Sequence, residues 1–228
     1  PGERDSLSRF LARETRLLMA EDRRRLGLET DGTPKTGTAG EIVKSGLSLW
    51  LDASHGVTLD KQQHVSRWAS RVGSLVATGH GDPLVVDQAI GKHPAINFEG
   101  KDWFGLDKPP VTGQQFTIIA VVTDRPAGGQ PGPHRNLVGN WDGGRGNSTT
   151  SIFLGTTAGP KGLRTVRLTD SFALRDKLAV TKPASPFLLT GVAESSNARV
   201  FQNNRLLDQL GSPLPTRNLD TGWTIGRQ

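Results

Sequence analysis

The chain has 228 residues, 34% hydrophobic and 22% charged, with 28 glycines and 14 prolines; this suits one domain with a real core and many turns, and no apolar run nears the roughly 20 residues of a membrane-spanning helix. There is no cysteine, which excludes thiolate metal sites, cysteine nucleophiles and disulfides within it. The formal charge is +6, but residues 1–35 hold eight basic and seven acidic groups, so the surplus lies further on, dispersed among turns; a nucleic-acid footprint would be a patch, so none is expected.

In chain order, Leu7, Phe10, Leu11, Leu17, Leu18 and Leu26 fall near one face at helical spacing and predict a helix over 5–26. Asp5 or Ser6 can cap its start and Gly27 its end. The charged stretch Glu21 to Arg25 reads as a solvated face. Such a helix is marginal alone in water, so it should pack on the following domain or belong to a preceding helical one. Residues 29–41 are small, polar and rich in Gly and Thr, a linker. Residues 1–41 are thus helix and linker, and 42–228 the β domain.

From residue 42 the period changes to two. Leu47, Leu49 and Leu51 alternate with Ser48, Trp50 and Asp52 and predict a strand with something large on both faces. Val65 to Trp68, Val76-Ala77 and Leu84 to Val86 are further short strands. Ala95 to Phe98, the turn Glu99-Gly100-Lys101-Asp102, and Trp103 to Leu106 read as a hairpin. Phe116 to Val122 is a continuous apolar run, expected to be a central buried strand. Asn136 to Asn140, Ser151 to Leu154, Thr165 to Leu168, Phe187 to Ala193, Ala198 to Gln202 and Trp223 to Ile225 follow. Asn203-Asn204 stands where a two-residue hairpin turn requires positive φ. The fold class is therefore all-β, an antiparallel β-sandwich with an N-terminal helix.

Six segments, in order, resemble the laminin-G-like, concanavalin A-like jelly roll. Leu47 to Ala53 is similar to the opening "LxLWLDA" strand and Val65 to Trp68 to the second. Pro94 to Gly100 resembles "PALxFDG", and Phe116 to Val122 resembles "FTIxAVV". Gly191 through Asn204 looks like the "VYxNG" hairpin, and Thr224 to Arg227 like "xxIGR". The wording is most similar to copies in large exported multidomain proteins of planctomycete bacteria, often beside c-type cytochromes. The resemblance implies a lectin-like module, a periplasmic or extracellular location, and neighbouring domains as partners. The family continues past "IGR" with a final strand pair, whereas this chain stops at Gln228. That departure, together with a start at Pro1, reads as a piece of something longer.

The chemistry points away from catalysis. Glycosidases of this fold need two carboxylates about 5 Å apart on one strand face, hence at even spacing. Beyond residue 41 only Glu99 and Glu194 remain as glutamates, and Glu99 and Asp102 are three apart in a turn. There is no Gly-x-Ser-x-Gly elbow. His55, His64, His80, His93 and His134 sit in loop-like sequence without metal spacing, and read as solvated. No cofactor is expected; a structural calcium would draw on Asp82, Asp87, Asp102 and Asp142, which match no loop signature.

Sugar binding needs less: an exposed aromatic for the C–H face of a ring and polar groups for its hydroxyls. Trp141 lies in a Gly-rich loop with Asn140, Asp142, Arg145 and Asn147, and His134 and Arg135 precede it. Trp141 either reaches a ligand there or folds back over the sandwich. Trp103 beside Asp102 is a secondary candidate, with core packing against Phe104 the expected alternative. Trp50, Trp68 and Trp223 are expected in the core. The function implied is a non-catalytic module binding polysaccharide, with neither nucleic acid nor membrane insertion. A structural module docking neighbouring domains is the alternative, and a glycoside hydrolase the third.

Overall fold

A computed structural model describes residues 44–123, 134–140, 152–158, 164–169, 186–194, 197–203, 205–210 and 219–226. The chain divides into two compact units, Pro1–Leu47 and Ser48–Gln228. Of the first, the described residues form a turn in which Leu47 N–H donates to the Lys44 carbonyl at 3.1 Å. The predicted helix over 5–26 lies outside the described residues.

In chain order the strands of the second unit are β1 (Val57–Leu59), β2 (Val65–Ala69), β3 (Val76–His80), β4 (Leu84–Ile90), β5 (His93–Asn97), β6 (Trp103–Leu106), β7 (Phe116–Val122), β8 (His134–Gly139), β9 (Ile152–Ala158), β10 (Arg164–Thr169), β11 (Phe187–Ala193), β12 (Ala198–Gln202), β13 (Arg205–Leu210) and β14 (Thr224–Ile225). They form an eight-stranded sheet in the order β1-β2-β3-β6-β14-β8-β9-β10, a four-stranded sheet β13-β12-β11-β7 and a ribbon β4-β5. Every pairing is antiparallel.

Alternation puts one face of the large sheet inside. At one end Ile152, Leu154, Val138 and Trp223 pack on Phe116, Ile118, Phe187, Leu189, Ala193, Ala198 and Val200 of the four-stranded sheet and its borders. At the other end Val65, Ala77 and Phe104 pack with Trp68, Ile225 and Phe98, and with Val85 and Ile96 of the ribbon. Leu106 touches both clusters. Phe104 is fully buried, its ring 5.7 Å from Trp68 and edge-on to Phe98 at 5.8 Å. Such geometry adds to the roughly 1.5–3 kcal/mol that burying a Phe side chain contributes. The result is an antiparallel β-sandwich.

β11 and β12 span the residues expected of them, and Asn203 takes φ +46° between Gln202 and Arg205, which pair directly. Trp223 and Trp68 join the core as expected. Four expectations are corrected. First, residues 47–51 are not a strand. Trp50 N–H donates to the Ser70 hydroxyl and its carbonyl accepts from Arg71 N–H, a local clip beyond the end of β2 rather than a ladder.

Second, Ala95 to Phe98 does not form a hairpin with Trp103 to Leu106. β5 pairs with β4, while β6 pairs with β3 and β14. The chain crosses between them at residues 98–102, where the buried Asp102 carboxylate holds the bend. Its oxygens accept Glu99 N–H at 2.7 Å and Asp82 N–H at 2.9 Å. Gly81 makes room, since a Cβ there would meet Asp102 Oδ1 at 2.7 Å. Third, β7 is an edge of its sheet among the described residues, with Ile119 39% exposed. β11, buried throughout and flanked on both edges, is the central strand. An apolar run reports faces, not neighbours along the edges. Fourth, His80, His93 and His134 lie in strands rather than loops.

Replacing Asp102 with Ala leaves two backbone N–H groups without their acceptor, and should destabilise the domain by about 2–4 kcal/mol in urea unfolding. Asp102→Asn, which keeps one carbonyl acceptor, should lose roughly half as much.

Candidate functional site

β6 runs Trp103-Phe104-Gly105-Leu106, so Phe104 and Leu106 face the core and Trp103 and Gly105 the outside. Trp103 pairs in register with His80 of β3, and Gly105 pairs with Thr78 and Thr224. The Trp103 and His80 rings stack with centroids 3.8 Å apart and 10° between planes. His80 is exposed and Trp103 half-buried. A Cβ on Gly105 would meet the indole Cζ3 at 3.3 Å and His80 Nε2 at 3.6 Å, so glycine leaves the pair room to lean over the sheet. Thr78 pairs onward with Arg67 of β2, and both are exposed. The outer face thus carries a stacked aromatic pair bordered by a guanidinium and two hydroxyls. A flat apolar surface beside donors and acceptors suits a polar ring with an apolar face.

A second constellation borders β1 and β2. Asp52 Oδ1 accepts from Ser54 N–H at 2.9 Å and from Ser54 Oγ at 2.6 Å. Asp52 Oδ2 accepts from Arg71 at 2.6 Å, and the guanidinium lies 4.2 Å from the Trp50 ring centre. Ser54 Oγ and Asp52 Oδ2 both approach Nδ1 of His55, at 2.8 and 3.3 Å. A hydrolytic triad puts the carboxylate on one ring nitrogen and the nucleophile on the other, so this trio has no path from hydroxyl to Nε2. Burial raises the Asp52 pKa. The Ser54 hydrogen bonds, Arg71 and the charge of His55 outweigh it and hold the carboxyl below its ordinary value. Trp50, expected in the core, belongs instead to this half-exposed cluster and to neither core cluster.

The site residues named from sequence scatter. Trp141, Asp142, Arg145 and Asn147 lie outside the described residues. His134 and Arg135 open β8, with only their backbone described. Asn140 is 1% exposed; its Oδ1 accepts Ile152 N–H at 2.7 Å and its amide donates to Thr221 Oγ1 at 2.9 Å. Asp102 holds the bend before β6. Both side chains therefore serve structure where they stand. Among the described side chains of this set, Trp103 sits on the outer face, half-buried. Its expected packing against the core is corrected, because residues facing the core on β6 are the even-numbered ones. His80 reads from sequence as a solvated loop histidine, and Arg67 does not stand out as a contact. The alternation of exposed Thr78 and His80 within Val76 to His80 was the available signal, but nothing in it named Trp103 as partner. No three His, Asp or Glu side chains gather to hold a metal among the described residues.

No family model and no curated protein matches the chain. Among solved structures it is similar to domain 4 of AbnA, a GH43 extracellular arabinanase from Geobacillus stearothermophilus, in complex with arabinotriose, at 15% identity over 68% of this chain and 74% of that one, with a TM-score of 0.50. The likeness is one of fold. The carbohydrate-binding module CBM66 from Bacillus subtilis matches 64% of this chain and 84% of its own at 11% identity, with a TM-score of 0.38. The kappa-carrageenase from Pseudoalteromonas carrageenovora, in complex with an oligotetrasaccharide of kappa-carrageenan, matches 85% and 84% at 10% identity, with a TM-score of 0.36. These two likenesses are too distant to bear on this chain.

Because its folded pKa is depressed, ionised Asp52 contributes stability that is present above about pH 4 and lost as pH falls through the folded value. Asp52→Asn should lower the urea midpoint at pH 7 and make its decline below about pH 4 shallower than in the parent. Equal slopes for the two proteins would show that Asp52 carries none of the acid dependence.

Proposed function

We propose that this chain is a non-catalytic carbohydrate-binding module, and that it takes polysaccharide on the outer face of the eight-stranded sheet. The observation that carries this is the His80–Trp103 stack on the outer face of the sheet, His80 exposed and Trp103 half-buried, with Arg67, Thr78 and Thr224 beside it. The ring pair offers an apolar surface for a sugar's C–H face, and the bordering groups offer hydrogen bonds to its hydroxyls. A sheet fixes such a constellation in advance, so little ordering is required on binding. The similarity in fold to a domain seen with arabinotriose supports the same reading.

Non-catalytic action is supported by the fates of the described carboxylates. Asp102 is closed in a turn, Glu194 pairs with Arg199 at 2.9 Å, and Asp52 is held by Ser54 and Arg71. The resemblance in wording supports a place within a larger exported protein, with neighbouring domains as partners and no cofactor of its own.

Affinity electrophoresis of the protein against a panel of plant and algal polysaccharides tests this. Retardation by at least one glycan is expected, and Trp103→Ala should weaken it by roughly tenfold or more. Trp141→Ala, run alongside, reports whether the loop after β8 contributes. Wild type that migrates freely through every glycan would sink the binding reading. Retardation untouched by Trp103→Ala would move the site off this face.

A further inference from the structure

The eight strands of the large sheet carry four arginines, Arg67, Arg135, Arg164 and Arg167, and two histidines, His80 and His134. The same strands contain no aspartate, no glutamate and no lysine. Carboxylates do occur in the other strands, at Asp87 of β4 and Asp208 of β13. The charge surplus of the chain is therefore not spread evenly over its elements. It is concentrated in the sheet that bears the aromatic stack, which corrects the expectation of a surplus dispersed among turns.

Arg67 is the arginine placed beside that stack. It pairs in register with Thr78, two residues from His80 on the same face of β3. Arg71 is ion-paired with Asp52 and Arg199 with Glu194. Arg67 is exposed, and its guanidinium has no carboxylate or other hydrogen-bond partner among the described residues. A guanidinium in this state is a planar donor fork suited to an oxyanion. From β2 to β6 is two strand spacings, about 10 Å, so a glycan lying on Trp103 and His80 can bring a neighbouring substituent over Arg67.

We infer that the outer face selects an anionic glycan, one bearing a carboxylate or a sulfate ester, with Arg67 as the residue that discriminates charge. The inference rests on the outer face being the glycan site. A stacked aromatic pair beside arginine also suits single-stranded nucleic acid. The absence of lysine from these strands, and of a dense basic run, favours short contacts to isolated oxyanions over tracking of a phosphate backbone.

Calorimetry on the intact chain with matched polymers decides it: polygalacturonate against its methyl ester, and sulfated galactan against the desulfated polymer. One acidic member should bind roughly three- to tenfold more tightly than its neutral partner, the range for an exposed charge pair with good geometry. Which pair shows the preference identifies carboxylate or sulfate. The preference should shrink with added salt. Arg67→Gln should bring the acidic and neutral members of the pair to equal affinity and leave the unfolding midpoint unchanged, since Arg67 is exposed. Equal affinity within both pairs, or a preference that survives Arg67→Gln, overturns the inference while leaving the glycan site standing. Binding to a single-stranded oligonucleotide as tight as to the acidic glycan also overturns it. Failure to bind any of the four polymers also overturns it, and the wider glycan panel then decides whether the proposed function falls with it.

Discussion

The Asp102 carboxylate accepts the backbone N–H of Glu99 and of Asp82 from a position 6% exposed, and the rest of the site follows from that bend. It takes the chain out of the β4–β5 ribbon and delivers it into the large sheet between β3 and β14. The residue that leaves the bend is Trp103. Because strand side chains alternate, the phase set here sends Trp103 outward and Phe104 inward. A slip of one residue would bury the indole and expose the phenyl ring. The core cluster around Phe104 and the stack on His80 are thus two outcomes of one local constraint.

Other carboxylates act in the same way. Asp60 accepts Gln62 and His64 N–H in the turn before β2, Asp52 accepts Ser54 N–H before β1, and Asp107 accepts Val76 N–H after β6. Short acidic side chains are well suited to such bends, where they satisfy backbone donors that no ladder reaches. Around the large sheet, acids are gathered at the ends of strands, and the strands themselves carry arginine and no acid. The large sheet therefore acquires a basic character without any basic run in the sequence. That arrangement links the turn chemistry to the ligand chemistry proposed for the outer face.

Much of the fold is legible in the residues. The period of two, the Gly and Asn turns and the absence of further helical spacing mark an antiparallel β-sandwich. Phe187 to Ala193 begins just after Pro186, and Ala198 to Gln202 ends at Asn203, which tolerates the positive φ its turn demands. The site was much less legible. Asn140 and Asp102 look like ligand contacts because they are polar and near tryptophans. Their side chains are engaged by Ile152 and Thr221, and by Asp82 and Glu99, partners that burial and long-range pairing supply. His80 is an unremarkable strand residue until β6 is laid beside it.

The sequence by itself determined the class of fold, the principal strands of the four-stranded sheet and the burial of Trp68 and Trp223. Alternation is local, and it states which residues share a face. Tertiary structure alone decided that β5 pairs with β4, that β7 lies at an edge, and that Trp103 meets His80 on the open side of the sheet. Strand pairing joins residues far apart in the chain, and no local period records which face its neighbours will cover.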